Sequence, residues 1–228
     1  MIKKKGLFIV FEGIDGAGTT TQTELLEKHC KKLANGHFEV ESGCEPWNDG
    51  YIRKKLLQDK SPYSDAELMA KLYVDDRKDH TKIEIFPIIN RGGIYISDRY
   101  TLSTCTYQVA QGLDLQTLTK MHETGILIPN VTFYIDIERG IAKERKIQRI
   151  LKQFGSNVNI EEKLEKFDRD PVFIDTLIQQ YRHLAELANS NTQLFGKVMK
   201  IDGNKPVEEV SSEIIKYFNL VYHDWKKS

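Results

Sequence analysis

The sequence predicts an α/β fold of three layers, a five-stranded and mostly parallel sheet with helices on both faces. Three observations carry this. Short apolar, β-rich runs alternate with longer helical patterns along all 228 residues. The clearest of these runs, Leu7 to Phe11, has no polar position at all, the pattern of a strand buried on both faces. No internal repeat is present, so the alternation implies right-handed βαβ crossovers within one sheet.

The elements follow in order. Leu7 to Phe11 is the first strand. A Gly-rich turn leads into a helix from about Thr20 to Leu33. Phe38-Glu-Val reads as a short second strand. Ser64-Asp-Ala-Glu67 has the form of a capping box and opens a helical pattern running towards Asn90. Gly92-Gly93 breaks it. Ile94 to Ser97 is the third strand, with Asp98 at its exit. Helical segments fill roughly 101–125. Pro129 introduces a strand from Val131 to Ile135 that ends in Asp136. A basic helix spans 139–152 and another helix 172–189. Val198 to Ile201 is the fifth strand, closed by Asp202-Gly203, and Pro206 suits the first turn of a last helix to about His223. Phe154 to Asn159 is polar and linker-like, a mobile surface segment between charged helical pieces.

The length suits one well-buried core, so residues 1–228 are read as a single domain. Lys+Arg and Asp+Glu balance at 33 each, leaving no global field to favour nucleic acid or an anionic membrane. Phosphate binding, if present, must come from a local site. Cys30, Cys44 and Cys105 are odd in number and widely spaced, which argues against a disulfide framework and a structural zinc. The six histidines show no metal spacing. The start, Met1-Ile-Lys-Lys-Lys, is basic, but the apolar run behind it is too short for a signal peptide or a membrane span, so a cytoplasmic location is expected.

Residues 13–20 read Gly-Ile-Asp-Gly-Ala-Gly-Thr-Thr and stand between a buried strand and a helix, where a phosphate loop belongs. Gly13, Gly16, Ala17 and Gly18 would let backbone amides turn towards phosphate oxygens, with Thr21 following at the helix N-terminus. Thr20 holds the hydroxyl position that ligates Mg²⁺. The usual lysine between Gly18 and Thr20 is replaced by Thr19. A charge-assisted hydrogen bond contributes roughly 1.5–3 kcal/mol, so its loss costs on the order of 10–100-fold unless another cation acts instead. The basic residues of the 143–169 region are the candidates. Taken alone, the segment could equally be a turn that binds nothing.

Four stretches in fixed order give the chain its likeness to a known family. They are Phe11-Glu-Gly-Ile-Asp-Gly-Ala-Gly-Thr-Thr-Thr-Gln22, Leu72-Tyr-Val-Asp-Asp-Arg77, Asp98-Arg-Tyr-Thr-Leu-Ser-Thr-Cys-Thr-Tyr-Gln108 and Pro129-Asn-Val-Thr-Phe-Tyr-Ile-Asp136. Together they resemble the thymidylate kinase family of P-loop nucleoside monophosphate kinases, over about residues 7–220. The resemblance implies a P-loop NTPase-type fold and transfer of a phosphoryl group from ATP to dTMP, with Mg²⁺ as cofactor. It implies a homodimer as well. Asp15 would face the acceptor sugar and the reacting phosphates. Tyr73 would stack on the pyrimidine, and Arg77, one turn on, would hold the base or acceptor phosphate. Asp98 would position Mg²⁺ and Arg99 would grip the acceptor phosphate. Thr104 and Tyr107 would contact base and sugar, with Gln108 nearby. A lid at about 139–170 would bring Arg145 and Arg149 to the transferring group, and Arg169 is a weaker candidate. Two departures stand out: Thr19 for the loop lysine, and Cys44 where the family has arginine before Glu45-Pro46.

Plainer alternatives stay open for several residues. Asp98-Arg99 could be a surface ion pair, Tyr73 plain core, and Arg145 and Arg149 a solvated helix face. At the level of function, the alternatives are a deoxynucleoside kinase of similar fold and an inactive nucleotide-binding protein. Arg77 and Arg99 argue against the first, since a neutral acceptor has no need of two phosphate-directed arginines. Lid arginines can supply roughly 10³–10⁵ in rate, more than the loop lysine's loss removes.

Overall fold

The computed structural model describes residues 6–48, 50–190 and 193–227. The basic start at residues 1–5 lies outside them. Five strands, β1 (Leu7–Glu12), β2 (Val40–Cys44), β3 (Ile94–Asp98), β4 (Val131–Asp136) and β5 (Lys197–Asp202), form one all-parallel sheet in the order β2-β3-β1-β4-β5. The central strand, β1, is buried along its whole length, as its unbroken apolar run requires. Its two sets of side chains serve two cores. Phe11 meets Phe133 on one face, and Phe8 packs with Tyr95 and Tyr100 on the other.

Helix α1 (Thr19–Ala34) follows β1 directly and packs on α9 (Val207–Lys227). On the opposite face α8 (Pro171–Ser190) stacks Tyr181 on Tyr134 of β4, and α5 (Thr101–Ala110) packs on α8. The register sets Asp98 beside Phe11 and Cys44 beside Asp98. The carboxyl ends of β1, β2 and β3 therefore open on one crevice, where parallel sheets place their ligand sites.

Several boundaries differ from the sequence reading. The second strand begins at Val40, because the Phe38 ring is drawn into a cluster with Tyr222 and Trp225. The capping box at Ser64–Glu67 does not form. The Ser64 hydroxyl turns to Asp59 and the Ser61 carbonyl, and the residue preceding α3 (Ala66–His80) is Asp65, at φ +55° without a capping bond. Helical backbone does continue to Asn90. It passes through a π-helical turn, Thr81–Ile85, into α4 (Phe86–Asn90). Pro87 lacks an amide hydrogen there, and the Phe86 N–H reaches back to the Thr81 carbonyl. The 101–125 region splits into α5 and α6 (Leu115–Met121) at Gly112, which sits at φ +98°. A helix the sequence reading passed over, α2 (Gly50–Gln58), lies between β2 and α3. The 139–170 segment comprises α7 (Arg139–Phe154) and two 3-10 turns, Ile160–Lys163 and Lys166–Arg169. Cys30 and Cys105 are buried thiols, and Cys44 is exposed.

Candidate active site

The loop after β1 turns with Gly16 at φ +87° and Gly18 at φ +97°, conformations that favour glycine. Gly16 has a second reason to be glycine. A Cβ there would stand 2.2 Å from the Ala142 carbonyl oxygen, because α7 crosses directly over the loop. The loop and α7 enclose one side of a cavity of about 800 Å³. Asp15, Gly16, Ala17, Gly18, Thr19, Thr20 and Thr21 all line it. Gly13 does not; its carbonyl instead accepts a 3.0 Å hydrogen bond from Arg99 Nη1.

Thr20 donates its hydroxyl hydrogen to Asp98 Oδ2 at 2.5 Å, so the two residues expected to hold a metal are already adjacent. Asp98 Oδ1 is buried with no hydrogen-bond partner among the described residues. A hydroxyl and a carboxylate oxygen left in this way are the oxygen donors that a Mg²⁺ ion takes.

Arg99 and Asp15 meet in an ion pair across the crevice. Arg99 holds its place at φ +74°, a backbone cost that the amide bond to the Phe11 carbonyl (2.8 Å) and the Ser97 hydroxyl on its own carbonyl (2.7 Å) offset. Its guanidinium also lies 5.8 Å from the centre of the Tyr107 ring. Glu12, the last residue of β1, caps the start of α5 by accepting from the amides of Tyr100 (2.9 Å) and Ser103 (3.1 Å) and from the Ser103 hydroxyl. Burial pushes its carboxyl up to about 7, against these donors.

Tyr73, Arg77, Thr104, Tyr107 and Gln108, the residues expected to meet the acceptor, line the same cavity. Arg77 is only 1% exposed. Its Nε and Nη2 donate to Glu45 Oε2 at 2.8 and 2.5 Å, and Nη2 also faces the Tyr100 carbonyl and Thr104 Oγ1, each at 2.9 Å. Nη1 donates to His122 Nε2 at 2.8 Å. The other His122 nitrogen bonds the Leu118 carbonyl, and burial together with the Arg77 charge holds the imidazole down at about 3. Glu45 also reaches His80, whose ring stacks on Trp47 at 5.6 Å. Gln108 is buried; its Nε2 donates to Gln111, and its Oε1 has no partner among the described residues.

Arg145 and Arg149 line the cavity, but Arg145 is committed to the carbonyls of Gly203 (3.0 Å) and Lys205 (3.3 Å). Arg169 turns away to the Leu164 carbonyl. The cation of α7 that meets the loop is Lys146, which the sequence reading did not single out. Its Nζ lies 2.7 Å from Asp15 Oδ2 and also contacts Asp168. Burial raises the Asp15 carboxyl, but the Lys146 ammonium and the Arg99 guanidinium outweigh that and hold it well below the usual carboxylate range. The signal was available: Ala142, Lys146 and Ile150 are the buried positions of α7, an i, i+4, i+8 stripe with one lysine in it. Arg53 of α2 also lines the cavity and was overlooked with its helix.

A phosphate loop, an oxygen pair fit for Mg²⁺ and an arginine-bearing wall facing both define a P-loop phosphoryl transferase with room for a second anionic ligand. The thymidylate kinase family profile matches residues 11–214. A probable thymidylate kinase of Staphylothermus marinus is 31% identical over 216 residues, covering 95% of this chain and 96% of its own. One from Methanococcus aeolicus is 33% identical over 215 residues (92% and 94%), and a thymidylate kinase of Clostridium novyi 28% over 218 (92% and 97%). The chain belongs to the thymidylate kinase family.

Proposed function

We propose that this protein transfers the γ-phosphoryl group of ATP to dTMP, giving ADP and dTDP. The observation that carries the reading is Asp15 of the phosphate loop joined to Arg99 of the acceptor wall, within one cavity that also holds Tyr73, Arg77 and Gln108. The near full-length relatives named as thymidylate kinases support it.

The residues divide the work by charge and shape. Loop amides from Gly16 to Thr21 cradle the donor phosphates at the N-terminus of α1. Mg²⁺, held by Thr20 and Asp98, would neutralise charge on the donor's phosphate oxygens. Arg99 is 19% exposed at its side chain and reaches the acceptor phosphate with a planar fork suited to two oxygens. Tyr73 stacks on the pyrimidine. The unpartnered Gln108 Oε1 suits a base with a ring N–H to donate, as thymine has. Arg77, tied on all sides, keeps Thr104 and Glu45 in register rather than swinging towards a ligand. Phosphoryl transfer needs positioning and charge neutralisation more than covalent help, and these residues supply both. Arg149, exposed on α7, adds charge when the 139–170 segment acts as a lid and excludes water. A single catalytic domain, a homodimer and a cytoplasmic location belong to the same reading. The exposed Ile83 and Phe86, beyond Arg77 on the same helical run, offer apolar surface for a second copy.

Coupled ADP-release assays with dTMP, dUMP, dCMP, AMP and thymidine test the proposal. Turnover of dTMP well above the others is the expected result. Silence with dTMP alongside rapid turnover of another acceptor would refute it. Tight nucleotide binding without any turnover would point instead to an inactive binding protein.

A further inference from the structure

The phosphate loop lacks its lysine, and Thr19 in its place is short and buried. A nucleotide bound there would find no cation within the loop itself. We propose that Lys146 supplies this charge from α7, so that the lid helix carries the lysine function that the loop has lost. The inference rests on the kinase reading of the site.

Four observations support it. The Lys146 side chain is 7% exposed, and its ammonium is held between Asp15 of the loop and Asp168 of the lid. The position is fixed from below: Ala142, one helical turn earlier on the same face, sits against Gly16 so closely that no side chain fits between them. Asp15 is shared, since its Oδ1 pairs with Arg99 and its Oδ2 with Lys146. The two cations therefore flank one loop carboxylate, between the phosphate loop and the acceptor wall. Among the other basic side chains of the segment, Arg145 is occupied by two carbonyls and Arg169 by a third, and Arg149 lines the cavity from an exposed position, where Lys146 is buried. Burial opposes the charge on Lys146, but Asp15 and Asp168 more than restore it, and the amine stays protonated.

In the reaction, an oxygen of the acceptor phosphate bonds to the γ-phosphorus while the bond to the β-bridging oxygen breaks, and its electron pair leaves with ADP. Lys146 transfers no proton. It exchanges Asp168 and Asp15 for the oxygens of the moving group, whose greater negative charge draws the ammonium across. Before nucleotide arrives, the two carboxylates keep the ammonium compensated.

The test uses the full chain with Lys146→Met, Lys146→Arg, Thr19→Lys and the Thr19→Lys/Lys146→Met pair. Turnover is followed by ADP release, and ATP and ADP affinities by competition with a fluorescent ATP analogue. Lys146→Met is expected to lower kcat 100-fold or more and to weaken ATP tenfold or more, while ADP weakens less than threefold. Lys146→Arg should stay within tenfold of the parent kcat. Thr19→Lys in the Met background should restore kcat at least tenfold. A purely structural lysine would weaken ATP and ADP alike, and that result overturns the proposal. So does a Lys146→Met protein with kcat within threefold of the parent. If dTMP proves not to be the acceptor, the comparison of ATP with ADP still decides the role of Lys146, because it needs no acceptor.

Discussion

Replacing Gly16 by alanine probes the close contact between the phosphate loop and α7. The new methyl group would lie 2.2 Å from the Ala142 carbonyl oxygen, 2.9 Å from its carbon and 3.1 Å from the Ala142 Cα. All three are backbone atoms, so no side chain can rotate out of the way. Ordinary contact starts near 3.4 Å, so the loop or α7 must yield by more than 1 Å. A displacement of that size in a phosphoryl-transfer site costs roughly 10²-fold. The φ of +87° adds about 1–2 kcal/mol of backbone strain for an L-residue. Gly36→Ala is the control: φ is +78°, nothing lies within 4 Å, and the turn between α1 and β2 is outside the cavity. Initial rates at saturating ATP and dTMP, with thermal unfolding of both variants, separate the two effects. Gly16→Ala is expected to lose about 100-fold in kcat/KM. Both variants should lose several degrees in Tm, with Gly36→Ala keeping the parent rate. A Gly16→Ala enzyme within threefold of the parent would refute the reasoning.

Further outcomes follow from other parts of the site. Asp98→Asn removes a carboxylate charge from the Thr20–Asp98 oxygen pair, so half-maximal rate should require at least about tenfold more Mg²⁺; an unchanged titration would count against that pair. Glu45→Ala leaves the Arg77 guanidinium buried without its carboxylate, a loss of roughly 3–5 kcal/mol in urea unfolding. A change below 1 kcal/mol would show that water compensates. His122 binds its proton at about 3 when folded, against an ordinary 6.5, so the unfolded chain holds more protons between those values. Stability from this group therefore rises with pH across that window and is lost as pH falls through it, by roughly 5 kcal/mol in full. His122→Gln keeps an acceptor for Arg77 and should flatten the decline between pH 6.5 and 4; an unchanged slope in urea unfolding would remove His122 from the cause.

Much of the fold was legible because its strands are covered on both faces. A run such as Leu7 to Phe11 admits few other readings, and the loop and helix behind it follow from glycine and cap chemistry. The convergence of Asp15, Thr20, Asp98 and Arg99 was legible because each sits at a strand end or in the loop beside one. The parts that escaped depend on distant partners. Lys146 lies 131 residues from Asp15, and the stripe of Ala142, Lys146 and Ile150 marks the inward face of its helix but not the carboxylate which that face meets. Arg77 lines the cavity, but the four groups that accept its five hydrogen bonds belong to Glu45, Tyr100, Thr104 and His122, which no local pattern joins. Ser64–Glu67 has the letters of a capping box, yet nearby Asp59 and the Ser61 carbonyl claim the serine hydroxyl first.

The chain has two tryptophans in unlike surroundings. Trp225 rests against Phe38 and Tyr222, in the cluster where α9 meets the start of the second strand. Trp47 lies flat on His80, with its amide bonded to Asp76 at 2.6 Å, next to the Glu45-Pro46 step that lines the cavity. A protein with Trp225 changed to phenylalanine would keep a single indole emitter, seated beside the Glu45-Pro46 edge of the cavity. Its emission would then report events at that edge of the cavity in real time, without any attached dye.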